Sequence, residues 1–246
     1  MCSLCDDPRA IHAAATGRRK FLRFAGVASI GLALSSRSSG GDSKPPAKPQ
    51  NVISADEALN RLMQGNGRYV EGLARRHDFI AEREALSKGQ NPYAGILGCA
   101  DSRIAPEYAF DAGRGDLFVV RVAGNFATDD GIASLEYAVE VLRTPLLMVL
   151  GHESCGAIGA AVKSIRNKEP LPGHLPSLVV NLAPAVNAVL DQPGDVVVNA
   201  TKQNVLLTVR KLATATPILS RYVQEGKVRV VGAIYNLGTG RVNLVD

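Results

Sequence analysis

Ala94-Gly95-Ile96-Leu97-Gly98-Cys99-Ala100-Asp101-Ser102-Arg103 sets a short apolar run directly against a cluster of reactive residues, and Leu146-Leu147-Met148-Val149-Leu150-Gly151-His152-Glu153-Ser154-Cys155 repeats the arrangement further along. Apolar runs of this length without alternation fit strands buried on both faces, as parallel sheets require. Residues 117–122 and 228–234 supply two further runs, and helix-like stretches intervene at 134–142, 155–165 and 196–213. The pattern reads as an α/β fold with a mostly parallel sheet of about four strands and helices on both faces. Leu237-Gly-Thr-Gly-Arg241 then forms a tight turn into residues 242–245, an antiparallel C-terminal edge strand. Ahead of the first strand, Ser54 stands as an N-cap before Asp56, Glu57 and helically spaced Ala58, Leu59 and Leu62, so this part begins with a helix.

In open parallel sheets ligands collect at the carboxyl ends of the strands, where strand order reverses. If the first and third runs are neighbours, Cys99, His152 and Cys155 converge on one volume. Two thiolates and an imidazole suit Zn²⁺, and three protein ligands leave one tetrahedral position for water. The competing reading makes His152 a helix cap and the two cysteines buried hydrophobes. Asp101 lies two residues from a candidate ligand, where it can bind the metal or accept a hydrogen bond from its water. A bidentate pair with Arg103 would hold Asp101 off the metal and keep the fourth position open; without Arg103 the pair is absent and the carboxylate can close the site.

The chain's formal charge is +5, yet residues 1–50 hold 8 Lys/Arg against 3 Asp/Glu, leaving 20 against 20 beyond them. The catalytic-sized part is therefore neutral, which excludes a nucleic-acid binder relying on a clustered basic surface. Gly17-Arg18-Arg19-Lys20-Phe21-Leu22-Arg23 precedes an apolar run at residues 24–34. A run of about 11 residues is too short for a membrane span, which takes about 20. The paired arginines resemble a twin-arginine export signal. The expected organisation is a signal segment at 1–34, a Ser/Gly/Lys/Pro-rich flexible linker at 35–50 and a catalytic domain at 51–246. Twin-arginine export machinery is the expected partner, the destination is periplasmic or otherwise extracytoplasmic, and the mature form has no stable membrane span. Cys2 and Cys5 sit ahead of this signal and read as incidental.

Cys99-Ala-Asp-Ser-Arg103 and His152-Glu-Ser-Cys155-Gly-Ala resemble the two metal-site motifs of the β-carbonic anhydrases. Asp116-Leu-Phe-Val-Val-Arg-Val-Ala-Gly-Asn125, Ser134-Leu-Glu-Tyr-Ala-Val139 and Gly232-Ala-Ile-Tyr-Asn-Leu-Gly-Thr-Gly240 resemble further segments of that family in order, so the likeness covers about residues 54–246. It implies a lyase that hydrates carbon dioxide to bicarbonate and a proton through a zinc-bound hydroxide, with one Zn²⁺ per chain on Cys99, His152 and Cys155 and with Asp101 as a possible fourth ligand. Asp101 and Arg103 become the gating and orienting dyad, and Gln90, Phe118 and Tyr137 line a small apolar pocket for carbon dioxide. A homodimer or higher homo-oligomer with sites at subunit interfaces is implied as well. Members with a regulatory bicarbonate pocket carry Trp three residues before the first zinc cysteine; here that position is Ile96 and the chain has no Trp, although Arg121, also associated with that pocket, is present. Two alternatives stand beside this reading: a carbon disulfide or carbonyl sulfide hydrolase on the same scaffold, and a non-catalytic zinc-stabilised scaffold protein.

Overall fold

The computed structural model describes residues 53–245, so the signal and linker expected at residues 1–50 lie outside the described residues. Five strands, β1 (Ala94–Gly98), β2 (Leu117–Arg121), β3 (Leu146–His152), β4 (Arg229–Tyr235) and β5 (Val242–Val245), form one sheet in the order β2-β1-β3-β4-β5. The first four are parallel and β5 runs antiparallel to β4, as the sequence leads one to expect. The helices among the described residues are α1 (Ala55–Val70), α2 (Glu82–Ser87), α3 (Pro106–Ala109), α4 (Asp129–Glu140), α5 (Gly156–Asn167), α6 (Pro176–Asn187), α7 (Val196–Ala213) and α8 (Ile218–Gln224). No helix among the described residues is long and apolar enough to cross a membrane.

Successive side chains of a strand point to opposite faces, and here both faces are covered. Ile96 and Met148 pack in one cluster with Leu62 of α1 and with Phe110, which caps α3. Leu97 and Val149 pack in another with Leu135 of α4 and Val205 and Leu212 of α7. This is why β1 and β3 are apolar throughout rather than at alternate positions. A third cluster, including Phe126, Ile158, Leu182 and Ala200, encloses Cys99 and Cys155.

Local chemistry sets most of the ends. Ser54 caps α1 by accepting a hydrogen bond from the Glu57 N–H at 3.1 Å. Thr128 does the same for α4 through the Gly131 N–H at 3.2 Å, which starts that helix at Asp129 rather than near Ser134. β3 continues to His152 instead of stopping at Leu150, because Gly151 and His152 pair with Ile234 and Tyr235 of β4. α6 was not legible from periodicity; it starts on Pro176, whose missing N–H costs nothing in a first turn.

α1 is tied across the molecule by Asn66, which is buried. Its amide donates to the Ala109 and Gly240 carbonyls at 2.9 and 2.8 Å and accepts from the Val242 N–H at 2.9 Å. At the preceding residue, a Cβ on Gly65 would stand 1.9 Å from the Phe110 carbonyl oxygen, so this helix crosses α3 at a distance only glycine permits. Gly65→Ala is expected to destabilise the fold by about 1–3 kcal/mol, read as a fall in the thermal midpoint. Gly67→Ala, whose Cβ meets nothing within 4 Å, should leave the midpoint unchanged or raise it slightly.

Candidate metal centre

The chain leaves β1 to one side for β2 and later returns on the other side as β3, so the order reverses between β1 and β3. Gly98 lies opposite Leu150 in that parallel pair. Cys99 is the first residue beyond β1, and His152 is the last residue of β3. Ser154, in the left-handed region at φ 52°, turns the chain so that Cys155 becomes the N-cap of α5. All three side chains are buried, and their ligand atoms lie within 4.8 Å of one another.

The chemistry of this donor set fits a metal ion. The Sγ atoms of Cys99 and Cys155 are 4.0 Å apart, and both thiols are free. A disulfide needs about 2.05 Å, whereas two thiolates each about 2.3 Å from a shared tetrahedral zinc are separated by nearly the distance seen here. His152 Nδ1 donates to the Glu153 carbonyl at 2.8 Å. That bond leaves the lone pair on Nε2, and Nε2 is buried with no hydrogen-bond partner. A buried imidazole nitrogen without a partner is costly unless something else takes its lone pair. His152 is therefore not the helix cap of the competing reading, and the cysteines are more than packing.

The two thiols share a charge unequally. The Cys99 thiol is held far below its usual range, first by the hydrogen bond from Cys155 and then by the Gly124 and Asp101 N–H groups, against the opposing effect of burial. Cys155 is pushed upward by its bond to Cys99 and by burial. Binding a dication at this group releases the thiol protons.

Asp101 sits beside this group, with Oδ2 3.8 Å from His152 Nε2. Arg103 grips it in a fork, Nε to Oδ1 at 2.9 Å and a terminal nitrogen to Oδ2 at 2.7 Å, and its own N–H adds a third bond to Oδ1 at 3.0 Å. The Arg103 hydrogen bonds hold the Asp101 carboxyl well below the usual carboxylate range. With both oxygens engaged, Asp101 adjoins the Cys99, His152 and Cys155 group as an acceptor rather than as a member of it.

Gln90, Phe118 and Tyr137 are elsewhere in the single chain. Phe118 pairs with Gly95, at the opposite end of β1 from Cys99, which at about 3.3 Å per residue is roughly 13 Å along the strand. Tyr137, half-exposed on α4, has its ring 6.3 Å from that of Phe118. Gln90 is exposed in the loop before β1. Within one chain these three stand apart from the Cys99, His152 and Cys155 group.

Two contributors escaped the sequence reading. The Gly124 N–H donates to Cys99 Sγ at 3.3 Å, from a backbone with φ +89°. Buried Asn204 of α7 donates to the Gly124 carbonyl at 2.8 Å and fixes that turn. The Ala-Gly-Asn turn was visible as sequence, but its partner on α7 is far away along the chain.

Adding Co²⁺ to the metal-free chain should produce a thiolate-to-metal charge-transfer band that saturates at one ion per chain, with proton release. Cys99→Ser or Cys155→Ser should remove about half of its intensity, and an absorption unaffected by either change would exclude the two thiolates as ligands.

The sequence pattern of the carbonic anhydrase family matches residues 94–242. Carbonic anhydrase 2 of Mycobacterium tuberculosis is 38% identical over 190 residues, spanning 77% of this chain and 92% of that protein. The carbonic anhydrase of Mycolicibacterium smegmatis is 37% identical over 188 residues, spanning 76% and 91%. Among solved structures, the β-carbonic anhydrase CcaA superposes with a TM-score of 0.62 at 28% identity, covering 77% of this chain and 88% of that one. With this agreement across the sheet and the Cys99, His152 and Cys155 group, the chain belongs to the β-carbonic anhydrase family.

Proposed function

We propose that this chain is a zinc-dependent carbonic anhydrase whose own residues Cys99, His152 and Cys155 hold the metal. The observation that carries the reading is the buried, unpartnered His152 Nε2 facing two thiols 4.0 Å apart beside the Asp101–Arg103 fork. When bound, zinc lowers the pKa of a water molecule towards neutrality and so makes a nucleophile available at ordinary pH.

The remaining work falls to the protein. The Glu153 carbonyl keeps His152 in one tautomer, and the Gly124 N–H supports the charge on Cys99. Asp101, turned by Arg103, accepts a hydrogen bond from the attacking oxygen and aims its lone pair at the carbon of carbon dioxide. One C–O bond forms, the water's proton leaves for solvent, and bicarbonate departs.

Gln90, Phe118 and Tyr137 enter this scheme from a second copy of the chain. Their separation from Cys99 within one protomer and the exposure of Tyr137 and Gln90 support a homo-oligomeric enzyme whose carbon dioxide pocket is shared. Export through the twin-arginine route to an extracytoplasmic compartment is part of the same proposal. It rests on Arg18-Arg19 before the apolar run, and a centre that must acquire its metal suits a route for folded cargo.

Stopped-flow carbon dioxide hydration with metal content measured on the same sample is the test. His152→Ala and Cys99→Ser should lose zinc and rate together. Asp101→Asn should keep about one zinc per chain and lose about 10²–10⁴-fold in kcat. Normal turnover by Asp101→Asn would remove its orienting role, and hydrolysis of carbonyl sulfide without hydration would shift the substrate. Separately, residues 1–50 fused to a reporter should direct it out of the cytoplasm, and replacing Arg18 and Arg19 together with Lys should retain it.

A further inference from the structure

The loop that carries Asp101 has few bonds of its own. Between backbone groups, residues 99–104 make one internal turn, Ile104 N–H to the Asp101 carbonyl at 3.2 Å, and one ladder-like bond, Ala100 N–H to the Val122 carbonyl at 3.3 Å, beside the Asp101–Arg103 fork. Its three other available carbonyl bonds all go to one side chain. Arg121, the last residue of β2, donates Nε to the Cys99 carbonyl at 2.9 Å and a terminal nitrogen to the Asp101 carbonyl at 2.8 Å and the Ile104 carbonyl at 2.9 Å. The guanidinium thus spans the loop from the first metal-ligating residue, through the orienting carboxylate's residue, to its far end.

We propose that Arg121 is a positioning residue for the hydration reaction: it clamps the loop of residues 99–104 so that the Asp101 carboxylate is presented to the metal group at the right height. The inference rests on the carbonic anhydrase reading and names a regulator of the geometry of that same site. Register explains why β2 supplies the clamp. Arg121 lies opposite Gly98, the last residue of β1, so a side chain leaving β2 here reaches the loop as it begins.

Arginine is required by the acceptor pattern. Three carbonyls at three points of a loop need several donors fixed in one plane, which a guanidinium offers and an ammonium on a flexible stem does not. The division of labour with Arg103 is clear from the contacts. Arg103 sets the direction of the Asp101 carboxylate, whereas the hydrogen bonds of Arg121 go to carbonyls and set the backbone on which that side chain stands. Arg121 is therefore engaged with protein carbonyls, and Ile96, where relatives with a regulatory bicarbonate pocket carry Trp, lies fully buried in the core cluster beneath.

The test compares Arg121→Gln and Arg121→Lys with the unaltered full-length chain in zinc content, rate of zinc release to a chromophoric chelator, kcat, KM and thermal midpoint. Both variants should bind about one zinc, release it about 10–100-fold faster and lose about 10–100-fold in kcat with KM changed less than about twofold. A fall in the midpoint alone, with kcat and release rate intact, overturns the proposal, as does a fully active Arg121→Lys, because a single charge would then suffice. If Arg121→Gln does not fold, Arg121→Lys decides by the same readings; if neither folds, Arg121 belongs to the fold and the proposal fails. The unaltered chain separates this inference from the one it rests on. Absence of zinc or hydration there would defeat the proposed function, whereas an active chain with indifferent variants would defeat only the clamp.

Discussion

Parallel pairing of β1 with β3, with Gly98 opposite Leu150, is the constraint from which the site follows. Only this neighbour relation brings the residue after β1 and the last residue of β3 to one place, and only the left-handed turn at Ser154 then returns Cys155 to the same volume. Both strands are buried on both faces, which requires helices on each side. The close crossing at Gly65, the Asn66 staple and the caps on α1 and α4 maintain that covering.

Burial gives the centre its chemistry as well as its shape. Two thiols and an imidazole buried together do not satisfy one another: the sulfurs stand 4.0 Å apart and His152 Nε2 has no hydrogen-bond partner. The surroundings then direct charge inward. The N-terminus of α5 begins at Cys155, the Gly124 N–H points at Cys99, and two arginines hold the adjoining loop, one by its carboxylate and one by its carbonyls. Positive partial charge around a pair of thiolates is the setting in which a dication is bound without excess negative charge at the reacting water.

Much of this was readable along the chain because adjacent residues do related work. Cys99, Asp101 and Arg103 lie within one loop, and His152 and Cys155 within one turn, so spacing alone exposes them. The Asp101–Arg103 pair could be anticipated because two residues of separation suffice for a fork. Arg121, Gly124 and Asn204 could not be assigned roles this way, since each acts on a partner distant in sequence: on the loop of residues 99–104, on Cys99 and on Gly124. Gln90, Phe118 and Tyr137 were identifiable by likeness, and a single chain holds Phe118 opposite Gly95, away from Cys99.

The α/β class, the four parallel strands with an antiparallel edge, and the three metal-binding candidates could be read from the chain alone, because burial on both faces and ligand chemistry each write a local pattern. Tertiary structure decided which strands are neighbours, that His152 presents Nε2 rather than capping α5, and that Arg121 serves the Asp101 loop. Those outcomes depend on register across the sheet and on hydrogen bonds between residues far apart in the chain, and no local pattern encodes either of them.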